Sequence, residues 1–180
     1  MTEHRYNPSE LRGDYIRAAI GTAVCVAAVA VSEASGAAGI FFGLAGLLFL
    51  AFGVRTLVRH GSIFELTAEG IRRSNAKKFG PSAIRLLWRE VTTVKLSFYS
   101  TRRDRSNGWM QLRLTGSGGK ISLDSTVGGF EKIAERAAQA ATENGLRLGA
   151  ATLSNFAAAG ISVRTEGGKA VAVDRSGWRP

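Results

Sequence analysis

The sequence contains a single cysteine, Cys25, and only two histidines, His4 and His60, among its 180 residues. One cysteine excludes an internal disulfide and every redox motif that needs a pair of cysteines. Neither histidine has a cysteine, a second histidine or a carboxylate at the spacing that a metal site requires. We therefore expect no bound metal, and we expect Cys25 to pack as a small side chain within an apolar stretch.

Sequence signatures of catalysis are missing as well. No Gly-x-Ser-x-Gly elbow is present, and residues 116–120 lack the following helix and the Ser or Thr of a phosphate-binding loop. Asp124 followed by Ser125 is more typical of a helix cap than of a nucleophile pair. The glycines of the apolar stretches follow no strand, which excludes a dinucleotide fingerprint. We therefore expect neither enzymatic activity nor a cofactor.

Two long apolar stretches occupy most of the first third of the chain. They cover residues 18–31 and 36–58, and Glu33 is the only charge in the short connection between them. A bilayer core about 30 Å thick needs roughly 20 helical residues. The second stretch has that length, and the first reaches it by extending back to Asp14 and into the connection. The pattern predicts a transmembrane helical hairpin over about residues 14–34 and 36–58.

Two other interpretations of these stretches were weighed. A signal peptide would use Arg12 and Arg17 as its charged region, but a stronger apolar segment follows it at once. A buried core hairpin of a soluble protein is the second alternative, but residues 36–54 carry no ionisable group. The transmembrane hairpin is therefore the preferred interpretation.

Small residues recur at helical spacing in both stretches. Such spacing lets helix backbones approach closely, which is the main source of packing energy between helices in lipid. In an Ala- and Val-rich segment the same pattern also arises by chance, so it is the weaker signal in the first stretch. The residues are Gly21, Cys25, Ala28, Ser32 and Ser35 in the first stretch, and Gly36, Gly39, Gly43, Gly46 and Gly53 in the second.

Basic residues flank the two predicted spans at the same end of the hairpin. Lys and Arg remain on the cytoplasmic side of transmembrane helices. We therefore predict that both termini are cytoplasmic, including an N-terminal segment over residues 1–13 whose start is mobile. The residues that set this orientation are Arg5, Arg12, Arg17, Arg55 and Arg59.

The remainder of the chain, from residue 61 onward, has the size of one compact domain and is basic. It holds 19 Lys and Arg against 10 Asp and Glu, a balance of +9, whereas residues 1–60 hold 5 against 4. A basic domain beside an anionic leaflet gains about 1 kcal/mol for each cation near the surface. Nucleic acid is another polyanion, but no helix with a basic face is present to read it. Nucleic acid is therefore not an expected partner.

Alternation of apolar and polar residues predicts several short strands after residue 60. A helix follows, because Phe130, Ile133, Ala134, Ala137 and Ala141 fall at helical spacing before a stop at Asn144 and Gly145. The strand positions are Phe64 and Leu66; Ile71; Ile84, Leu86 and Trp88; Val94, Leu96 and Phe98; Met110, Leu112 and Leu114; and Ile121 and Leu123.

The end of the chain is predicted to hold three smaller features. A short helix over residues 152–159 would bury Leu153 and Phe156. A hairpin would pair residues 161–165 with residues 169–173. Residues 174–180 are predicted to be disordered.

The expected fold class is α+β: a transmembrane hairpin followed, over residues 61–160, by a bent antiparallel sheet or partial barrel that a C-terminal helix closes. Several short motifs occur along this part of the chain: Phe64-Glu65-Leu66-Thr67-x-Glu69-Gly70-Ile71, Trp88-Arg89-Glu90-Val91, Phe98-Tyr99, Gly108-Trp109, Ile121-x-Leu123-Asp124-Ser125 and Gly129-Phe130. On these residues the chain resembles the bacterial pleckstrin-homology-like (PH-like) proteins with two N-terminal transmembrane helices.

The resemblance covers most of residues 15–160, and it implies the cytoplasmic membrane of a bacterium as the location. It leaves residues 161–180 unexplained. PH domains that bind phosphoinositides use basic residues around their first hairpin loop, but the corresponding loop here, residues 68–70, is short and acidic. Other basic groups are therefore the candidates for contact with an anionic headgroup or a partner. One is Arg102, Arg103 and Arg105 with Trp109, and the other is Arg72, Arg73, Lys77 and Lys78.

Two functions are compatible with these features. In the first, the chain is a non-catalytic, membrane-anchored PH-like module that binds anionic lipid headgroups or a protein partner at the cytoplasmic membrane face. In the second, it is a scaffold subunit that assembles through its glycine-faced hairpin with another membrane protein or with a second copy of itself. A loop of arginines that only keeps the domain soluble is the alternative to a binding role for residues 100–108.

Overall fold

The structure, a computed structural model, describes residues 1–32, 36–75, 83–101, 104–166 and 169–171. Within these ranges the side chains of residues 101, 104–107, 169 and 171 are outside the description. The chain forms two compact units. The helical unit comprises Tyr6–Ser62 and Asn75–Pro81, and the sheet unit comprises Met1–Arg5, Ile63–Ser74 and Ser82–Pro180.

The helical unit consists of α1, Pro8–Val31, and α2, Ala37–His60. Asn7 caps α1 by accepting a hydrogen bond from the backbone N–H of Ser9 at 3.1 Å, and Pro8 occupies the first helical turn, where no N–H partner is needed. The two predicted helices are confirmed, but α1 begins about six residues before Asp14 because this cap fixes its start.

The sheet unit begins with a four-stranded sheet in the order β1-β2-β3-β4. Its strands are β1, Thr2–Arg5; β2, Ser62–Leu66; β3, Gly70–Asn75; and β4, Ile84–Leu87. The β1–β2 and β3–β4 pairs are antiparallel.

Strand β1 was not predicted, and the expectation of a mobile start to the chain is wrong for these residues. His4 is only 8 % exposed, and its Nδ1 lies 2.6 Å from the carbonyl oxygen of Gly128. The backbone N–H of Gly128 in turn donates to the carbonyl of Arg5 at 2.9 Å. Two contacts with Gly128, which is far from β1 in the sequence, therefore stabilise a strand that shows no alternation of apolar and polar residues.

A 3-10 turn, Trp88–Glu90, leads into a three-stranded antiparallel sheet in the order β5-β6-β7. The strands are β5, Val91–Thr101; β6, Asp104–Gly116; and β7, Gly119–Asp124. Ser117 and Gly118 form the tight turn between β6 and β7, and Gly119 after it has φ of 120°, a conformation that glycine adopts without strain.

Two helices and a small hairpin complete the sheet unit. Helix α3, Phe130–Glu143, buries the apolar face predicted from its spacing and packs against β5. Helix α4, Ala150–Ala158, buries Phe156, and strands β8, Arg164–Glu166, and β9, Lys169–Val171, form the predicted C-terminal hairpin in shorter form. Residues 172–180, including the predicted disordered end, lie outside the described residues.

The core of the sheet unit is formed by inward-facing residues of both larger sheets and of α3. The fold class is α+β with antiparallel sheets, but the strands of the described residues form separate sheets and no closed barrel. The largest fully buried side chains in this unit include Phe64, Ile71, Leu86, Trp88, Leu96, Leu112, Leu114, Ile121, Leu123, Ile133 and Phe156.

Candidate functional site

The two helices of the helical unit meet along a seam of small residues. A Cβ atom on Gly46 would lie 3.2 Å from the Cβ of Cys25, and one on Gly53 would lie 3.4 Å from the Cβ of Ala18. These contacts run in opposite directions along the two helices at seven-residue intervals, so α1 and α2 are antiparallel neighbours. Cys25 is 5 % exposed, which confirms its predicted role as a small packing residue.

The predicted glycine face of α2 divides into residues that contact α1 and residues that do not. Gly46 and Gly53 contact α1, and Gly39, seven residues before Gly46, is buried. In contrast, a Cβ atom on Gly43 would have no atom within 4 Å, and Gly36 caps the start of α2. Most of this face is therefore used inside the hairpin itself.

Gly21 of α1 has a separate packing role. The ring of Phe49 on α2 lies directly over it, where any side chain would collide with the ring. The large residue of one helix thus fits over a small residue of the other.

A cluster of polar and aromatic residues joins the start of α1 to the end of α2. The hydroxyl of Tyr15 lies 3.0 Å from Nδ1 of His60, and the guanidinium of Arg59 lies 3.5 Å from a carboxylate oxygen of Asp14. The same guanidinium lies over the ring of Tyr6, 5.1 Å from its centre. Charged and aromatic groups of this kind are typical of the level where a membrane meets water.

The rest of the hairpin has an apolar exterior. Both helices are long and apolar enough to cross a membrane, with mean hydropathies of 1.6 and 2.3, and few of their residues are buried within the protein. Ile20 and Val24 on α1 and Leu44 and Leu48 on α2 are all more than half exposed. Soluble monomers rarely present a continuous apolar surface of this kind to water.

In the sheet unit, β5 and β6 extend beyond β7. The β6–β7 pairs run only from Gly116 opposite Gly119 to Gln111 opposite Asp124. Ser125 then closes the β6 edge, since its N–H donates to the carbonyl of Met110 and its hydroxyl accepts from the N–H of Met110. The β5–β6 pairing continues past this point as a two-stranded ribbon, which we call the arm, residues 97–110.

Three aromatic residues of the arm are exposed: Phe98 by 43 %, Tyr99 by 42 % and Trp109 by 45 %. We call them the aromatic patch. Tyr99 and Trp109 are opposite each other in the strand register, and their rings stack with centres 5.7 Å apart and planes at 24°. The alternation in β5 places Phe98 on the same side of the strand as the buried Leu96, but Phe98 is exposed because it lies beyond the last β6–β7 pair.

Of the predicted binding residues around this turn, the structure locates only Trp109 in full. Arg102 and Arg103 lie outside the described residues, and Arg105 lies in β6 with its side chain outside the description.

The second predicted basic group lies partly on β3. Arg72 is opposite Arg85 of β4, and like charges in this arrangement repel. Each is offset by a carboxylate: Arg72 lies 3.6 Å from Glu65, and Arg85 lies 3.2 Å from Glu69. Of the other members, Arg73 is next to Arg72 on the same strand, and Lys77 and Lys78 lie outside the described residues.

Several residues that carry the family resemblance have structural roles. Thr67 closes the turn between β2 and β3, because its hydroxyl donates to the carbonyl of Gly70 at 3.0 Å and accepts from the N–H of Gly70 at 3.1 Å. The indole N–H of Trp88 donates to the carbonyl of Thr67 at 3.1 Å. Thr67 and Trp88 therefore stabilise the turn and the strand beside it, and these contacts are structural.

A groove of about 730 Å³ beside Trp88 was not found from the sequence. It lies between the β2–β3 turn, the 3-10 turn and the end of α3, where Arg136 lies 5.1 Å above the Trp88 ring. Its charged lining is balanced, so it does not select for an anion. The charged residues are Glu69, Glu90 and Glu143 with Arg85, Arg89 and Arg136.

The described residues contain no group of three or more His, Cys, Asp and Glu side chains that could hold a metal ion. His4 and His60, both described, have structural partners in Gly128 and Tyr15. Asp124 accepts from the hydroxyl and the N–H of Thr126, and Gly129 is at the N-cap of α3, so the helix-cap interpretation of Asp124 and Ser125 is wrong.

Comparison of the chain with protein-family models, with curated proteins and with solved structures finds no match.

Proposed function

We propose that the chain is a non-catalytic, membrane-anchored PH-like module of the bacterial cytoplasmic membrane that contacts anionic lipid headgroups at the cytoplasmic face. The observation that carries the proposal is the helical hairpin, whose exterior is apolar and whose charged residues, among those that the structure describes, lie at one end together with Tyr15 and His60. Apolar helices in lipid need no protein cover, whereas in water this exterior would cause aggregation.

The strand pairing supports the predicted placement of both hairpin ends on one side of the membrane. Strand β1 precedes α1, strand β2 follows α2, and the two strands are paired. A sheet lies on one side of a bilayer, so a chain segment that connects two of its strands must return to that side. Such a segment crosses the bilayer an even number of times. This argument is independent of the distribution of arginines.

The headgroup contact is proposed for the arginine turn, which we define as Arg102, Arg103 and Arg105. Three guanidinium groups within four residues suit phosphate oxygens, which accept paired hydrogen bonds from arginine. The excess of basic residues after residue 60 adds a general attraction to an anionic surface. The family resemblance supports the PH-like assignment, as do antiparallel strands followed by an amphipathic helix that packs on them.

Hydrogen exchange in lipid nanodiscs tests this function. The full chain would be reconstituted in discs of phosphatidylcholine alone and in discs that also contain phosphatidylglycerol. We expect slower exchange over residues 100–108 only in the anionic discs, and loss of that difference when Arg102, Arg103 and Arg105 are replaced by Glu. Equal exchange in both kinds of disc would show that this turn does not bind headgroups.

The scaffold function is kept as a second candidate because of Gly43. Open space above Gly43, next to the used seam, leaves room for another helix to approach α2. If a partner helix packs there, Gly43→Leu should abolish co-purification of that partner in mild detergent while the hairpin stays intact. Recovery of the same partners at the same yield would argue against this interface.

A further inference from the structure

The aromatic patch is the main exposed apolar feature of the sheet unit. Apart from Met1, Phe98, Tyr99 and Trp109 are the only exposed large hydrophobic residues that the structure describes in this unit. All three lie in the arm, beyond the last β6–β7 pair. Their clustering at one end of one ribbon indicates a function outside the core.

The patch presents apolar surface on both faces of the arm. Neighbouring residues of a strand point to opposite faces, so Phe98 and Tyr99 face in opposite directions. Phe98 is opposite Met110 in the register, and Tyr99 is opposite Trp109. A protein surface that docks on a ribbon covers one face, whereas a fluid layer can surround both faces.

The backbone of the arm is shaped for these rings. The ring of Phe98 lies against Gly108, where a Cβ atom would also come within 2.5 Å of the carbonyl oxygen of Tyr99. Glycine at this position leaves room for the Phe98 ring against the backbone of β6. The Tyr99–Trp109 stack stiffens the other face.

We propose that the aromatic patch inserts into the interfacial layer of an anionic bilayer. Tyrosine and tryptophan favour this layer because each has an apolar ring and a polar hydrogen-bonding group. The proposal rests on the headgroup contact of the arginine turn, which would bind phosphates of the same anionic bilayer. It adds a second, apolar contact to the electrostatic one and assigns it to different residues.

Fluorescence quenching by nitroxide-labelled lipid tests the insertion in the full chain. The protein would be reconstituted in nanodiscs of phosphatidylcholine with phosphatidylglycerol, with the nitroxide placed near the headgroups. The difference between the wild-type emission and that of Trp109→Phe isolates Trp109, because Trp88 and Trp178 are common to both. We expect the Trp109 emission to be shifted to the blue and to be quenched by the nitroxide.

Two variants of Phe98 serve as a matched pair. Phe98→Ser should reduce quenching of Trp109, because it removes apolar surface from the arm, whereas Phe98→Leu should leave quenching unchanged. Phe98 lies outside the fully buried core, and thermal unfolding of the two variants checks that the fold is retained. Equal quenching in the two variants would overturn a role for the patch.

The outcomes separate this proposal from the headgroup function. Slow exchange of the turn in anionic discs together with unquenched Trp109 would overturn insertion and leave the headgroup contact in place. Normal exchange together with unquenched Trp109 would overturn both, and a protein partner would then be the remaining occupant of the patch. Quenching that is equally strong in discs of phosphatidylcholine alone would overturn the preference for an anionic bilayer.

Discussion

Arg5 and Ile63 are partners in adjacent antiparallel strands, although the whole helical hairpin lies between them in the chain. Along the chain, the hairpin thus connects β1 to β2, where most pairs of adjacent antiparallel strands are connected by a tight turn. This pairing leads to an experiment in which the sheet unit is separated from the helices.

We predict that replacement of residues 6–62 by Asn-Gly yields a folded, soluble protein. Asn-Gly favours the turn that joins two paired antiparallel strands, so β1 would lead directly into β2. Circular dichroism and a cooperative thermal transition would establish folding. A protein that aggregates or melts without cooperativity would mean that the sheet unit needs the helices.

The matched control is a chain that begins at residue 61 and lacks β1. It loses the contact of His4 with Gly128 and the hydrogen bond between Gly128 and Arg5. It also loses the four residue pairs between β1 and β2. At about 1 kcal/mol for each hydrogen bond, we expect its free energy of unfolding to be lower by at least about 2 kcal/mol than that of the turn-linked protein. Urea titrations of the two proteins measure the difference.

We predict that Gly46→Leu destabilises the helical hairpin and that Gly43→Leu does not. A larger side chain at Gly46 meets Cys25 across the seam, and overpacking of this kind costs about 1–3 kcal/mol. A side chain at Gly43 enters open space. Thermal unfolding in detergent, followed by helical circular dichroism, compares the two variants, and equal melting temperatures would contradict the seam.

Gly108→Val should disorder the arm while the rest of the sheet unit remains folded. Its side chain would collide with the Phe98 ring and with the carbonyl of Tyr99. We expect faster hydrogen exchange at Tyr99 and Trp109, with unchanged protection at Leu96 and Leu112. Gly149→Ala is the control, because no atom lies near that position and exchange in the arm should not change.

Asn144→Ala should lower the free energy of unfolding by about 2 kcal/mol, since this side chain donates to the carbonyls of both Trp88 and Val91. Asn155→Ala removes one such bond, to the carbonyl of Leu96, and should cost about half as much. Chemical unfolding of both variants measures the ratio. An equal decrease in the free energy of unfolding in the two variants would show that the two hydrogen bonds of Asn144 stabilise the protein no more than the single bond of Asn155.

Features set by local periodicity were predictable from the sequence. The apolar faces of α1, α2 and α3 and the alternation in β5, β6 and β7 appear where the pattern indicated them. The glycine spacing in α2 predicted a packing face. Which glycines contact α1 depends on the register between two helices, and that register is not visible in either helix alone.

Features set by contacts between distant residues were not predictable. Strand β1 has four mostly polar residues, and its partner comes only after the hairpin. The alternation that directs Leu96 inward also directs Phe98 inward, but the exposure of Phe98 depends on where β7 ends. In the candidate site, the sequence predicts the arginines and Trp109 as binding residues, whereas the two-faced patch required the strand register.

Because Cys25 lies in the seam between α1 and α2, the reactivity of its thiol can measure how often the two helices separate. Its thiol is the only one in the protein, Cys25 is buried, and its Cβ atom faces Gly46 of the neighbouring helix. A thiol-specific reagent that enters the bilayer should therefore react at a rate set by the opening of the hairpin. Hairpin opening in a membrane can thus be timed on the native sequence, without an engineered label.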